Sequence, residues 1–325
     1  RGDIDTTMSP WDSIRYYKSF LHAGFVSIEP TTGYVKAWVG GVNHKHFKFD
    51  HAKVGRRQVG STFKPFVYAM AIQEGYSPCY QVPNVRTCIS IPDQPDWCPD
   101  NSDGNKGTGK MVTLRYALAG SINYVTAWVM KQFPPEALVT LVRRLGITAP
   151  IDPVPSICLG TPDISVFEMV AANATFANKG TYIQPTFITR IEDKNGKVLE
   201  EFFPTTDEVF SEEKAYAMIQ LMRGVVDYGT GSRLRFRYNL RNEIAGKTGT
   251  TQNNADGWFM GLTPDLVAGC WVGGEERSVH FNSTNEGQGA SMALPIWGKF
   301  FQKVYADPSL KITKNGFVKP ANMGN

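Results

Sequence analysis

The sequence has 325 residues, of which 42% are hydrophobic and 20% are charged, so it has the composition of a globular protein with ample surface for a core. Its net charge of +4, from 34 basic and 30 acidic residues, is too small to indicate nucleic-acid binding. No apolar run reaches the roughly 18 residues of a membrane helix, no signal peptide is visible, and the sequence opens with Arg1 rather than Met. We therefore expect a piece of a longer protein whose anchor and export signal lie upstream.

The first third of the chain is predicted to contain a hairpin, a helix and a long loop. Residues 1–20 are polar without a clear period and are interpreted as a linker or N-terminal strap. Two antiparallel strands are predicted at 24–29 and 34–40, on either side of a Pro-Thr-Thr-Gly turn. A helix is predicted at 61–74, with Pro65 in its first turn, where the missing N–H is tolerated. The Pro- and Gly-rich stretch 76–110 is predicted to be an irregular loop.

The middle of the chain is predicted to be mostly helical and its end to return to strands. Helices are predicted at 113–119, 124–132, 135–145, 164–178 and 211–226, the last capped by Ser211, with a hairpin at 186–203. Strands follow at 243–250 and twice within 257–273, then a helix at 290–305 and a polar tail at 306–325. The pattern predicts an α+β fold, in which an antiparallel sheet is covered by helices and a second lobe is mostly helical.

The spacing of the cysteines and histidines does not indicate a metal site. The five cysteines leave at least one unpaired within the chain. Cys88 and Cys98 flank a Pro- and Asp-rich loop that a disulfide would close in an oxidising compartment, and the sequence leaves this pairing open. Cys270 lies in an apolar strand pattern and is interpreted as a core residue. His44 and His46 have no further ligands nearby and are interpreted as solvated loop residues.

The first motif with chemical content is Ser61-x-x-Lys64 at the start of a predicted helix. Residues three apart share a helix face, so the Ser61 hydroxyl and the Lys64 amine can meet. A serine needs an adjacent base to become a nucleophile, and a lysine serves if burial lowers its pKa. The motif alone is weak, because roughly one such match is expected by chance in a chain of this length. A second match, Ser211-x-x-Lys214, is interpreted as a helix cap.

The second motif is Ser121-Ile122-Asn123. Residues two apart on a helix do not face each other, so the segment must leave the helix for Ser121 and Asn123 to share a site. Gly120 makes such a break easy. A hydroxyl and an amide placed together can relay a proton and hold a substrate carbonyl. The same pattern recurs at residues 283–285, where a turn is the better interpretation.

The third motif is Lys247-Thr248-Gly249-Thr250, on a predicted strand. The period of two places Thr248 and Thr250 on one face, where two hydroxyls beside a lysine would bind a carboxylate. Glycine at position 249 would let a substrate backbone lie close along the strand. Taken alone, this pattern is better explained as a strand end with a solvated lysine.

The three motifs together match a known signature. Ser-x-x-Lys, Ser-x-Asn and Lys-Thr-Gly occur in that order in penicillin-binding proteins and class A β-lactamases. Beyond the motifs, the chain resembles the transpeptidase domain of bifunctional (class A) penicillin-binding proteins over roughly residues 20–305. The stretches that carry the resemblance are 56–66 (RRQVGSTFKPF), 112–123 (VTLRYALAGSIN), 159–161 (LGT), 174–180 (ATFANKG), 222–231 (MRGVVDYGTG), 245–251 (AGKTGTT) and 256–261 (DGWFMG). One departure is Val59, where the family often has proline.

The resemblance implies a serine D-Ala-D-Ala transpeptidase with a penicillin-binding-protein or β-lactamase-like fold. Ser61 would attack the carbonyl of the penultimate D-Ala of a peptidoglycan stem peptide, and Lys64 would take its proton directly or through Ser121. Ser121 would pass a proton to the departing D-Ala with help from Lys247. The resemblance further implies that Asn123 holds the peptide carbonyl, that Thr248, Gly249 and Thr250 bind the substrate end, and that the N–H groups of Ser61 and Thr250 form the oxyanion hole.

The resemblance also implies partners and a location. β-Lactams would acylate Ser61, and no metal or organic cofactor enters this scheme. The domain would span residues 21–305 on the periplasmic or outer face of a bacterial inner membrane, with an anchor and a glycosyltransferase domain upstream. A β-lactam sensor domain, a D,D-carboxypeptidase and a β-lactamase remain alternatives. For the last, Glu168 is the nominal deacylating base, although we interpret it as a surface residue of a helix.

Overall fold

The structure, a computed structural model, describes residues 4–102 and 104–323. Helices make up most of the middle of the chain, with one long helix near the C-terminus. The α-helices of the described residues are α1 (Pro10–Lys18), α2 (Lys64–Gln73), α3 (Leu114–Ala119), α4 (Asn123–Met130), α5 (Pro135–Arg144), α6 (Val166–Ala177), α7 (Glu212–Asp227), α8 (Arg233–Phe236), α9 (Thr284–Gly287) and α10 (Gly289–Ala306).

The strands fall into one main sheet and several two-stranded pairs. They are β1 (Leu21–Ile28), β2 (Val35–Val39), β3 (Arg57–Gln58), β4 (Gln81–Pro83), β5 (Ile89–Ile91), β6 (Gln94–Trp97), β7 (Met111–Thr113), β8 (Asp163–Ile164), β9 (Thr181–Ile183), β10 (Arg190–Glu192), β11 (Val198–Glu201), β12 (Thr206–Glu208), β13 (Ala245–Thr250), β14 (Asp256–Leu262) and β15 (Val267–Gly274).

The main sheet joins the two ends of the sequence. Its order is β13-β14-β15-β1-β2, and every neighbouring pair is antiparallel. β1 pairs with β15 along its whole length, from Leu21 opposite Gly274 to Ile28 opposite Val267. This confirms the predicted antiparallel sheet and shows that it pairs strands from opposite ends of the sequence. β13, which carries the third motif, is an edge strand, so one side of its backbone pairs with no other strand of this sheet.

Both faces of the sheet are buried over β1, β14 and β15, which explains why these three strands are mostly apolar. Successive side chains point to opposite faces. Trp258 and Met260 belong to a hydrophobic cluster shared with α2 to α7, whereas Phe259 and Cys270 belong to a second cluster beneath α10. The first cluster extends from the sheet into the helical lobe. The α+β architecture is therefore confirmed, as is the assignment of Cys270 to the core.

Three differences from the sequence prediction concern α1, the nucleophile helix and the long loop. Residues 10–18, predicted to be part of a strap without helix, form α1, whose Ser9 cap accepts a hydrogen bond from Asp12 N–H. The predicted helix at 61–74 begins as a 3-10 turn over Gly60–Phe63 and becomes α-helical at Lys64. The predicted loop 76–110 contains the short strands β4, β5 and β6. None of the helices in residues 4–102 and 104–323 is long and apolar enough to cross a membrane.

Candidate active site

Ser61 lies on a tight turn that the sequence builds from glycine contacts. Gly60 has a positive φ of 53°, and its N–H donates to the carbonyl oxygen of Gly160 at 2.9 Å. A Cβ on Gly60 would lie 2.7 Å from the carbonyl oxygen of Thr250, and a Cβ on Gly160 would overlap the Gly60 carbonyl. Three backbone segments therefore meet at Gly60, which fixes the nucleophile turn against β13.

Ser121 and Asn123 are brought together by a break between two helices. α3 ends at Ala119, Ser121 adopts a left-handed φ of 58°, Ile122 is extended, and α4 begins at Asn123. The prediction that the chain leaves the helix here is confirmed. The break also points the carbonyl oxygen and the hydroxyl of Ser121 toward the same buried amine, that of Lys64.

Lys64 is fully buried and hydrogen-bonds to the second motif. Its Nζ lies 2.6 Å from Asn123 Oδ1, 2.7 Å from the Ser121 carbonyl oxygen and 3.3 Å from Ser121 Oγ. Within the part of the chain that the structure describes, Lys64 has no carboxylate partner and no hydrogen bond to Ser61 Oγ. Burial lowers the pKa of the Lys64 amine to about 7, so a large fraction is neutral near neutral pH.

Lys247 approaches the same hydroxyl from the sheet. Its Nζ lies 3.0 Å from Ser121 Oγ and 3.0 Å from the Thr248 carbonyl oxygen, and its side chain is fully buried. Burial, and then the positive charge of Lys64, hold the pKa of Lys247 well below its usual value. Two buried amines that share one hydroxyl cannot both be charged at low cost. Ser121 is thus placed to exchange protons with either lysine.

The threonines of the third motif already have hydrogen-bond partners. Thr248 Oγ1 lies 2.6 Å from Thr230 Oγ1, and Thr250 Oγ1 accepts a hydrogen bond from Gly289 N–H at 3.2 Å. Thr248 is buried and Thr250 is half-buried. The hydroxyls of Thr230, Thr248 and Thr250 thus lie along the open edge of the sheet.

One face of Gly249 packs against the turn that carries Ser61. A Cβ at this position would lie 2.8 Å from the Val59 carbonyl oxygen, 2.9 Å from Thr62 Cγ2 and 3.0 Å from Trp258 Cβ. The space beside this glycine is therefore filled by the turn that carries Ser61. The expectation that Gly249 lets a substrate backbone lie close along the edge of β13 stays a prediction.

Two unused N–H groups face the region around Ser61. Thr251 N–H donates to the Asp256 carbonyl oxygen on β14, so by strand alternation the N–H of Thr250 points away from β14, to the open edge. Within residues 4–102 and 104–323, no acceptor binds the N–H of Ser61. Ser61 also lies at the start of a helical segment, where N–H groups are unpaired and the potential is positive.

Glu168 is buried rather than exposed, and the interpretation as a surface residue was wrong. Its Oε1 accepts from the N–H and hydroxyl of Thr148 and from Ala149 N–H, and its Oε2 accepts from the N–H and hydroxyl of Ser165. It forms a capping box with Ser165 at the start of α6. Burial raises its pKa, but the bonds from Thr148 and Ser165 outweigh this, so the pKa lies below its usual value. Both carboxylate oxygens of Glu168 are therefore occupied by hydrogen bonds that stabilise the fold.

The cysteines and histidines occupy the places expected of structural residues. Cys88 and Cys98 form a disulfide that closes the turn between β5 and β6, which settles the pairing that the sequence left open. His44 and His46 are exposed. Within the described ranges, no group of three or more His, Cys, Asp or Glu side chains could hold a metal ion.

Sequence reasoning missed several residues that the site uses. Gly160 packs against the nucleophile turn, Thr230 binds Thr248, and Asn101 accepts a hydrogen bond from Asn123 N–H. Gly160 and Thr230 lie within stretches that carry the family resemblance, which was the available signal. Asn101 lies in a loop without a period or a motif, so nothing in the sequence marked it.

Comparison with known proteins places this arrangement in a family. The model of the penicillin-binding protein transpeptidase domain matches residues 23–153 and 155–270, and that of the penicillin-binding protein middle domain matches residues 1–21. Penicillin-binding protein 1A of Aquifex aeolicus is 35% identical over 285 residues, which are 87% of this chain and 38% of that protein. Penicillin-binding protein 2D of Bacillus subtilis is 35% identical over 290 residues, 87% of this chain and 41% of that protein. The chain thus spans well under half the length of these relatives.

Solved structures agree with the sequence relatives. Penicillin-binding protein 1A from Haemophilus influenzae has a TM-score of 0.80 at 25% identity, covering 88% of this chain and 48% of that one. The PonA1 protein of Mycobacterium tuberculosis, solved in complex with penicillin V, has a TM-score of 0.75 at 27% identity, covering 96% of this chain and 85% of that one. With the fold, the ordered motifs and the family match in agreement, the chain belongs to the penicillin-binding protein transpeptidase domain family, and its relatives are of class A.

Proposed function

We propose that this chain is a serine D,D-transpeptidase that crosslinks peptidoglycan stem peptides through an acyl-enzyme on Ser61. The observation that carries the proposal is the position of Ser121 Oγ, which lies within 3.3 Å of Lys64 Nζ and 3.0 Å of Lys247 Nζ. A hydroxyl between two buried amines of lowered pKa is suited to moving protons at neutral pH. The adjacent turn supplies Ser61 as the nucleophile.

Acylation needs one proton acceptor and one proton donor. The neutral Lys64 amine, acting directly or through Ser121, takes the proton of Ser61 Oγ as that oxygen bonds to the carbonyl carbon of the penultimate D-Ala. The developing oxyanion accepts hydrogen bonds from the free N–H groups of Ser61 and Thr250, and loss of one such donor costs roughly 3–4 kcal/mol of barrier in other enzymes. The C–N bond then breaks, and Ser121 gives a proton to the departing amine of D-Ala. Lys64 or Lys247 returns a proton to Ser121.

Substrate binding uses the open edge of β13. The hydroxyls of Thr248 and Thr250, with the low-pKa amine of Lys247 behind them, are proposed to bind the terminal carboxylate. Asn123 is proposed to hold the peptide carbonyl through its Nδ2 while its Oδ1 accepts from Lys64. Deacylation follows when the amine of a second stem peptide attacks the acyl carbon and its proton passes back to Ser61.

β-Lactams are proposed to acylate Ser61 and remain attached. PonA1, the relative solved with penicillin V, has the same fold. The nominal deacylating base, Glu168, is held by Thr148, Ala149 and Ser165 at the start of α6. A long-lived adduct is therefore expected, in contrast to a β-lactamase.

The domain limits and the cellular location of this chain are inferred from the penicillin-binding protein family. We propose that residues 21–305 form the transpeptidase domain, with residues 1–20 leading into it and 306–325 as a C-terminal tail. In the whole protein, an upstream membrane anchor and glycosyltransferase domain would place it on the periplasmic or outer face of a bacterial inner membrane. The relatives are more than twice as long as the region they share with this chain, which leaves room for such segments.

The reaction is tested with a stem pentapeptide ending in D-Ala-D-Ala, supplied with and without an acceptor amine. The proposal expects release of one D-Ala and a product that carries the acceptor, both absent from Ser61→Ala. Hydrolysis that the acceptor does not divert would identify a D,D-carboxypeptidase. If D-Ala is not released but penicillin still forms a stable adduct, the chain is a β-lactam sensor and the transpeptidase proposal is wrong.

A further inference from the structure

The segment that follows Cys98 caps the helix on which the second motif ends. Asn101 Oδ1 accepts hydrogen bonds from Asn123 N–H at 2.9 Å and from Tyr124 N–H at 3.4 Å. The residue at the N-cap position of α4 is Ile122, which makes no side-chain cap bond. The first N–H groups of α4 therefore depend on an acceptor from another part of the chain, and Asn101 supplies it.

The same segment sets the orientation of the Asn123 amide. Asn123 Nδ2 donates to the Asp100 carbonyl oxygen at 2.7 Å, and Asn123 Oδ1 accepts from Lys64 Nζ at 2.6 Å. With its nitrogen held by Asp100, the amide presents its oxygen to the lysine. The opposite orientation would set the amide N–H donors against the N–H donors of Lys64 whenever that amine is charged.

The disulfide holds this segment in place along α4. Cys88 and Cys98 close the turn between β5 and β6. Lys131, which follows the last residue of α4, donates to the Cys88 carbonyl oxygen at 3.0 Å. Asp100 and Asn101 bind the other end of the helix. The segment 88–101, which contains the disulfide and the two residues that bind Asn123, thus contacts both ends of the helix that begins with Asn123.

We propose that Asn101 is a positioning residue of the acyl transfer: by capping α4 it fixes Asn123, and through Asn123 it fixes the amine of Lys64. This inference rests on the proposed function, since it assigns Asn101 a role in that reaction. Asn101 does not contact the reacting atoms in this arrangement. Its effect passes through the backbone of Asn123 and the hydrogen bond from Lys64 to Asn123 Oδ1.

The test measures the second-order rate constant for acylation by a fluorescent penicillin, as a function of pH, in the full chain. Asn101→Ala removes the acceptor, whereas Asn101→Asp keeps an oxygen that can accept from both N–H groups. The matched control is Ser211→Ala, which removes the exposed cap of α7 at Lys214 N–H and touches no residue of the site. Melting temperatures report any general loss of stability in each variant.

Asn101→Ala should lower the plateau rate by about 10- to 100-fold, the range expected when a reacting group moves by up to about 1 Å. It should also move the acid limb of the profile to lower pH, because Lys64 loses an acceptor that favours its charged form. Asn101→Asp should recover most of the plateau rate, and Ser211→Ala should match wild type in both quantities.

Three results would overturn the inference. Wild-type rate and midpoint in Asn101→Ala, with wild type acylated at Ser61, would leave the proposed function intact and remove the role of Asn101. A lower plateau with an unmoved midpoint and no recovery in Asn101→Asp would show general damage only. If wild type itself is not acylated at Ser61, the proposed function fails, and this inference fails with it.

Discussion

Replacing Gly160 with alanine tests whether the nucleophile turn depends on backbone contact. Gly160 has a φ of +81°, and an added Cβ would lie 2.7 Å from Gly60 Cα and closer still to the Gly60 carbonyl group. Ordinary contacts begin at 3.4 Å, so the contact with Gly60 Cα alone requires the two backbones to separate by 0.7 Å (3.4 minus 2.7), and the closer carbonyl group requires more. Because Ser61 follows Gly60, that displacement reaches the nucleophile. A shift approaching 1 Å costs about 100-fold in rate.

Gly196 provides a matched control for this substitution. It has the same φ of +81°, but an added Cβ would meet nothing within 4 Å. Gly196→Ala should lose roughly 1–2 kcal/mol of folding free energy, because a left-handed backbone is unfavourable for alanine. Gly160→Ala should lose more, because its Cβ also overlaps the Gly60 backbone. Only Gly160→Ala should also lose acylation by a fluorescent penicillin. Acylation of Gly160→Ala at the wild-type rate would refute the account of how the turn is held.

Two further predictions concern ionisable groups. The rate of acylation should rise with pH through about 7, because the Lys64 amine must be neutral to accept a proton and its pKa is lowered to about 7. A rate that is flat or falls between pH 6 and 8 would exclude Lys64 as the base. Glu168→Gln should lower stability by about 1–3 kcal/mol, since buried N–H groups lose an acceptor, and should leave the lifetime of the penicillin adduct unchanged. Glu200→Gln, which makes the same change at an exposed position, is the control for both quantities. A longer adduct lifetime in Glu168→Gln alone would instead make Glu168 a deacylating base.

The fold was largely predictable where local signals and burial agree. The predicted helices at 135–145 and 211–226 match α5 and α7 to within one residue at each end. α1 was missed although Ser9, Pro10 and Asp12 form a start signal, and none of its residues is buried in the folded chain. The pairing of β1 with β15 could be expected only in outline, since register depends on partners some 240 residues away in sequence.

The sequence indicated which residues form the site, but not how their side chains are arranged. The order of the three motifs indicated Ser61, Lys64, Ser121 and Lys247. That Lys64 hydrogen-bonds to Asn123 and Ser121 and not to Ser61 depends on the left-handed turn at Ser121, which no period reveals.

The burial of Glu168 and the neighbours of Gly249 could not be predicted from the sequence, because both depend on tertiary contacts. The burial of Glu168 depends on the backbone of residues 148–149 lying against α6, although the Ser165-x-x-Glu168 spacing of a capping box was present in the sequence. The true neighbours of Gly249 belong to the turn at Ser61, far away in sequence. Both outcomes follow from tertiary contacts rather than from local pattern.

The central claim is tested most directly by the intact mass of the chain after incubation with benzylpenicillin, followed for hours beside Ser61→Ala. The account predicts the addition of one penicillin that persists, maps to Ser61 and is absent from the variant. No adduct in wild type, or an equal adduct in Ser61→Ala, would contradict the assignment of Ser61 as the nucleophile.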